Sequence, residues 1–292
     1  MLIIDCHAHI TSSDELRYKP KAKPLRVPGG KGSLTDLRET SWANGVSVVR
    51  AVHTVSFYGY DNTYLAEAAK ANPDWVSGVV CLDPDLPESP GLLKKYIQQF
   101  GVRTLRSIRG NKRTTFASDS VRALWKICAD LGATVDIFLM TLDGVESAEK
   151  ILREFPKLTV GFDHCMDIKP GPQFKKKLQE VRRLSKYDNL YPKVDFISTG
   201  TQTGYPTEEL LRDAAMKIID TYGSDRCVWG SNFPNDLWTP KLSYAEHLKL
   251  FTCDLPLSSK DRANVLGETA RRLWFPNHTF GQPRRRLFRR RR

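Results

Sequence analysis

The sequence predicts a single (β/α)8 barrel of the TIM type, and three observations carry that prediction. Eight short apolar or β-branched segments alternate with stretches of helical periodicity between Leu2 and Gly230. That order builds a parallel sheet, and eight units close a barrel rather than an open sheet. Three of the segments run out into polar residues able to coordinate, hydrogen-bond or exchange protons: Asp5-Cys6-His7-Ala8-His9, Asp163-His164 and Ser231-Asn232. A parallel barrel assembles its active face from such strand ends. Finally, no glycine-rich dinucleotide or phosphate-loop pattern follows any segment, which disfavours an open nucleotide-binding sheet.

The elements follow in order. Leu2-Ile3-Ile4 leads the first strand into the His-bearing end, and residues 11–33, polar and rich in Pro, Gly and Lys, read as a long loop over the barrel mouth, a lid. Residues 46–52 are a strand, Asn62 to Asn72 an amphipathic helix stopped by Pro73, and Trp75 to Leu82 the third strand. Helix 92–100 precedes strand 101–106, helix 120–131 precedes strand 133–140, and helix 144–155 precedes strand 158–164. A basic helix over 172–185, a strand over 190–197, a helix over 208–222 and a last strand starting at Arg226 complete the eight units. One domain over 1–276 results, with 277–292 as a basic tail.

Composition fits an ordinary globular chain: 292 residues, 40% hydrophobic and 27% charged. No apolar run nears the ~18 residues of a membrane span, and acidic and histidine residues interrupt the N-terminal apolar run too early for a secretory signal. A cytoplasmic location is the expectation. Six cysteines stand singly, without zinc-ribbon spacing or disulfide density, and read as reduced core residues. The net charge of +12 resembles a nucleic-acid signature until it is located. Seven arginines and no acid fall in 281–292, leaving +5 for the rest of the chain. Such a run has no apolar face to bury and reads as a solvated, disordered tail rather than a specific nucleic-acid contact.

Within Asp5-Cys6-His7-Ala8-His9, strand alternation puts Asp5, His7 and His9 on one face, with two imidazoles close enough to clasp one divalent ion. Two histidines on the wet face of an edge strand would give the same pattern. His53 ends the second strand and is a candidate substrate-binding residue, although a single histidine there serves equally as a hydrogen-bonded wall. Arg103 and Arg106 lie three apart, so only one can face the pocket. Arg106 is the candidate, because Arg109 and Lys112 follow in a basic loop that favours an anionic substrate. His247 and His278 lie away from strand ends and receive no role, and Trp42, Trp229 and Trp274 read as packing residues.

An ordered set of pieces resembles the amidohydrolase-related (amidohydrolase 2) family, in its lactonase-like branch: the Asp-x-His-x-His opening, Asp61-Asn62-Thr63-Tyr64-Leu65, Leu82-Asp83-Pro84, Gly101-Val102-Arg103-Thr104-Leu105-Arg106, Asp163-His164, Gly230-Ser231-Asn232-Phe233-Pro234 and the closing stretch from Glu268 to Trp274. The resemblance covers about residues 1 to 276. It implies a TIM barrel of the metallo-dependent hydrolase type, with His7 and His9 as metal ligands and His164 as a ligand or a substrate-polarising residue. It also implies that Arg106 grips a substrate carboxylate. The ion would be zinc or manganese. The last strand of many relatives presents an aspartate where this chain has Asn232, and an amide cannot take a proton from water at neutral pH. His164, Asp163 or Asp236 could supply the base instead, or the ion could make water acidic enough. The expected activity is hydrolysis of a small sugar or carboxylated lactone, with His164, Asn232 and Arg106 at the chemistry. Non-oxidative decarboxylation and a catalytically weakened binding module are the alternatives. The expected partner is a small anionic or polyhydroxy substrate, not a membrane, and a homo-oligomer is compatible with all of this.

Overall fold

The computed structural model describes residues 1–110, 113–195, 208–238, 240 and 242–280. Among these residues, seven parallel strands follow one another around a single sheet in chain order: β1 (Ile4–His9), β2 (Val48–Val52), β3 (Val76–Cys81), β4 (Thr104–Ser107), β5 (Thr134–Ile137), β6 (Val160–Phe162) and β7 (Leu190–Pro192). Each is short and nearly fully buried, as parallel strands covered on both faces must be. Helices α1 (Leu34–Ala43), α2 (Thr63–Ala71), α3 (Ser89–Phe100), α4 (Asp119–Asp130), α5 (Val145–Glu154), α6 (Phe174–Arg183) and α7 (Glu208–Tyr222) provide the crossovers. α1, absent from the sequence reading, opens on a capping box in which Ser33 and Asp36 satisfy each other's backbone N–H groups.

The eighth barrel position is filled, but not by the regular strand expected from Arg226 onward. Val228 bridges to Lys193 on one side and Phe233 to Ala8 on the other. Cys6 N–H donates to Trp229 O at 3.1 Å, and Asn232 N–H to His7 O at 2.8 Å. The physical reason for the broken ladder is local. A Cβ on Gly230 would lie 2.7 Å from the His7 Cβ, so the chain passes β1 too closely for pleated pairing. Two residues on, Asn232 takes a left-handed φ of 58°, a conformation asparagine tolerates better than most residues.

The proposed lid is a loop tied at both ends, with Thr11 N–H donating to Gly32 O at 2.8 Å. It lies along the turn that follows β2, where Lys21 and Leu25 donate backbone N–H groups to Phe57 O and Ser56 O. None of its residues lines the central cavity. At the other end of the chain, His278 and Phe280 pack edge to face on Phe275, so the packed chain runs to Phe280. The arginine run, Lys112 and residues 196–207 lie outside the described residues. Five cysteines are buried and Cys253 is exposed; all six are free. No helix among the described residues is long and apolar enough to cross a membrane.

Candidate active site at the strand ends

The strand ends enclose a cavity of about 810 Å³. Its floor carries His9, Arg106, His164 and Asn232, and its walls carry Phe138, Met140, Ile108 and Trp238. At the rim, Arg109 pairs with Asp143 at 2.8 Å and Lys169 with Asp167 at 2.9 Å.

β1 does not keep the strict alternation expected of it. Between Asp5 and Ala8 it advances three residues while β2 advances from Val49 to Ala51, so one extra residue reverses the faces. Asp5 therefore parts company with the histidines. Its carboxylate accepts from the Ser231 backbone and hydroxyl at 2.9 and 2.6 Å and from Tyr244 Oη at 3.0 Å. Burial pushes that carboxyl up to about 6, against the lowering effect of these bonds. Cys6 packs instead with Ile4, Val48 and Val228. His7 and His9 do converge, with their Nε2 atoms 3.2 Å apart.

The tautomer of His9 follows from its neighbours. Its Nδ1 lies 2.9 Å from the Val52 carbonyl, which can only accept, so Nδ1 carries the proton and Nε2 is a bare lone pair aimed at His7. Burial, and secondarily the Arg106 charge, lowers its pKa to about 3, so the ring stays neutral. Burial also holds His7 well below the ordinary histidine range. Two neutral imidazoles facing each other this way fit a divalent cation. Nitrogens each ~2.0–2.1 Å from zinc at a tetrahedral angle stand ~3.3 Å apart, close to the separation seen. Without a cation, the pair is satisfied by a His7 Nε2–H donating to His9.

His164 completes the cluster, its ring centroid 4.4 Å from that of His7. Its Nε2 lies 3.3 Å from Arg106 Nη2, and its Nδ1 3.1 Å from Asp195 Oδ2. Side-chain ligand atoms of His7, His164 and Asp195 lie within 4.8 Å of one another, a second grouping able to hold a metal. His164 sits in an unusual turn: His164, Cys165, Met166 and Asp167 have φ of 55°, 45°, 63° and 49°, four left-handed residues in succession. The turn is held by Lys177 Nζ donating to Met166 O at 2.8 Å and Cys165 Sγ donating to Lys193 O at 3.2 Å.

Beneath the imidazoles runs a chain of buried charge absent from the sequence reading. Arg50 donates to Asp136 at 3.1 Å, Lys193 reaches Asp136 at 2.6 Å and Asp163 at 2.7 Å, and Arg106 Nε donates to Asp163 at 2.7 Å. Burial alone would raise the Asp163 carboxyl, but the Lys193 and Arg106 cations beside it hold it well below the usual range. With Asp195, three carboxylates balance three cations. Gly161 makes room for them, since a Cβ there would stand 2.3 Å from Asp136 Oδ1. The signal in the sequence was a single charge inside each of several apolar strands.

Asn232 and Arg106 both line the cavity, and the Arg106 guanidinium lies 4.1 Å from the centre of the Phe138 ring. His53 does not line it. Its Nε2 is 2.8 Å from Gly59 O, and it supports the wall from behind. Asp163 is occupied by two cations, and Asp236 is exposed.

Solved structures share this architecture. A Pseudomonas putida protein named as a candidate 2-pyrone-4,6-dicarboxylic acid hydrolase is 25% identical, with a TM-score of 0.75 over 93% of this chain and 97% of its own. An amidohydrolase from Burkholderia multivorans with bound zinc is 18% identical, with a TM-score of 0.72 over 94% and 99%. The 5-carboxyvanillate decarboxylase of Sphingomonas paucimobilis is 14% identical, with a TM-score of 0.63 over 93% and 98%, a likeness of fold. The amidohydrolase family profile matches residues 4–275, nearly the whole chain, and the chain belongs to the amidohydrolase family.

Proposed function

We propose that the protein is a metal-dependent hydrolase that opens a small lactone bearing a carboxylate or several hydroxyls. The observation that carries this reading is the bare Nε2 of His9 facing His7 Nε2 across 3.2 Å at the floor of a cavity that also presents Arg106. The Pseudomonas protein, named for a dicarboxylated pyrone, supports the substrate class. His7 and His9 would hold the ion, zinc or manganese, with His164 as the third donor. Bound there, a divalent cation polarises an ester carbonyl or lowers the pKa of water. Arg106, fixed through Nε by Asp163, would orient the substrate carboxylate with its remaining donors. Asn232 would donate its amide N–H to the oxygen on which charge develops. Phe138 and Trp238 would exclude water from one side of the ring.

The second reading is decarboxylation of an aromatic or enoic acid, and Asn232 is the observation that favours it, because an amide at the eighth strand position cannot accept a proton from water. Elemental analysis of purified protein, followed by a panel of lactones and carboxylic acids, separates the two. The hydrolase reading expects about one divalent ion per chain and acid release from a carboxylated lactone. Carbon dioxide release with no lactone opening would replace it by the second, and neither metal nor turnover would leave a binding module. Asn232→Asp sharpens the choice: it raises lactone hydrolysis if the site is short of a base, and lowers activity if the site is built around the amide.

A further inference from the structure

We infer that Asp195 is a positioning residue, whose carboxylate keeps the His164 proton on Nδ1 and so turns the Nε2 lone pair of that ring into the cavity. The inference deepens the function proposed above, and rests on it only for its catalytic consequence.

Two independent neighbours fix the tautomer. Asp195 is wholly buried, with Oδ2 3.1 Å from His164 Nδ1. An ionised carboxylate only accepts, so the nitrogen beside it carries hydrogen. The contact does not meet hydrogen-bond geometry, so the carboxylate's hold on Nδ1 is electrostatic. On the far side of the ring, Arg106 Nη2 lies 3.3 Å from Nε2. A guanidinium only donates, so Nε2 must accept. Both neighbours favour the Nδ1–H form, Asp195 through the shorter of the two contacts.

Asp195 also reaches toward the other side of the cluster, 3.8 Å from His7 Nδ1. His7 Nδ1 has nearer neighbours in Lys193 Nζ at 3.4 Å and Asp163 Oδ1 at 3.5 Å, so His164 is the ring that Asp195 holds, as the Val52 carbonyl holds His9. Histidines that bind metals or move protons are commonly oriented by an acceptor on the nitrogen they do not use, and loss of that acceptor costs about 10–100-fold in affinity or activity. The backbone reinforces the pairing. Cys165 Sγ, next to His164 in the left-handed turn, donates to the carbonyl of Lys193, two residues before Asp195. The end of β7 therefore grips both the ring and the turn that carries it. Asn232 brings no carboxylate from the eighth position, and the negative charge beside His164 comes from Asp195, just past β7, instead.

The test reads the tautomer directly. Long-range 15N correlation spectra of the histidine-labelled full chain, with the His164 signals assigned by His164→Gln, distinguish Nδ1–H from Nε2–H among six imidazoles. The spectra are taken metal-free and with added zinc. The wild type should show Nδ1–H at His164 in both. Asp195→Asn, whose amide can donate to Nδ1, should move the ring toward Nε2–H, and Asp195→Glu should restore Nδ1–H at least in part. On whichever substrate the panel identifies, Asp195→Asn should lower kcat about 10–100-fold with KM changed less than about threefold, since Arg106 is untouched. An Nε2–H ring in the wild type overturns the inference, and that result requires no variant to fold. So does an Asp195→Asn protein with its tautomer and kcat unchanged. Loss of zinc binding without a change of tautomer would make Asp195 a ligand and also overturn it. If no substrate is turned over at all, the proposed function fails while the spectra still decide the role of Asp195.

Discussion

Two histidines on either side of the last barrel segment have nearly the same acidity, and only one is equipped for chemistry. His9 and His247 are both buried, and in both burial drives the pKa to about 3. His247 lies on the helix Tyr244–Lys249, tilted against Trp229 and edge-on to Phe251, and neither ring nitrogen has a hydrogen-bond partner among the described residues. His9 has the Val52 carbonyl on one nitrogen and His7 on the other, and opens onto the cavity. A perturbed pKa alone therefore does not mark a site. What marks one is a partner that fixes the tautomer and a free lone pair with room in front of it.

Changes that add or remove partners should sharpen the contrast. The largest effect is expected at Lys193, which, unlike His247, owes its burial to partners. Lys193→Met would strand Asp136 and Asp163 and should destabilise the fold by about 3–5 kcal/mol in urea unfolding. A loss under about 1 kcal/mol would mean that water or rearranged charge replaces the lysine.

Next is acid stability. The folded-state pKa of His247 is depressed, so the unfolded chain takes up the proton first. Its contribution is fully present above about pH 6.5 and is lost as pH falls toward 3. In that window the loss is about 1.4 kcal/mol per pH unit, or about 3 kcal/mol between pH 6.5 and 4.5. His247→Phe should flatten that part of the stability profile, and an unchanged slope would locate the acid sensitivity elsewhere.

The same pair divides in function. His9→Phe should abolish metal retention and lower turnover by more than ~100-fold, exceeding the usual loss at an outer-sphere partner. His247→Phe should leave turnover within about twofold, because it touches neither the cavity nor the cluster. Equal losses in the two variants would remove the distinction. The smallest effect is expected from deleting residues 281–292, which should shift stability by no more than about 0.5 kcal/mol. Loss of soluble expression on deletion would show that the arginine run contributes to folding.

How much of this was written legibly in the chain depends on distance along it. The barrel was readable because seven strands and the helices after α1 each carry their own period, and His7 and His9 because a two-residue spacing brings ring to ring. Asp5 was misplaced because a bulge is a property of the β1–β2 pairing, not of β1. The run 190–197 read as one apolar strand, so Lys193 and Asp195 passed unnoticed as residues that meet Asp136, Asp163 and His164 from other strands. A lone Arg50 in Val48–Val52 and a lone Asp136 in Thr134–Ile137 were available clues. Charges inside covered strands must find each other, and their balance is visible before their geometry is.

The turn from His164 to Asp167 sets an order of thermal failure. Left-handed residues other than glycine cost roughly 1–2 kcal/mol each, offset here by bonds from Lys177 and Cys165, by Asp167 N–H donating to His164 O at 2.7 Å and by the burial of Cys165 and Met166. Segments so held open locally at lower free energy than the strands beneath them. On heating, His164 should leave its place before the barrel melts. The half-inactivation temperature should then fall below the midpoint of the far-ultraviolet transition, and the enzyme would go silent while still folded.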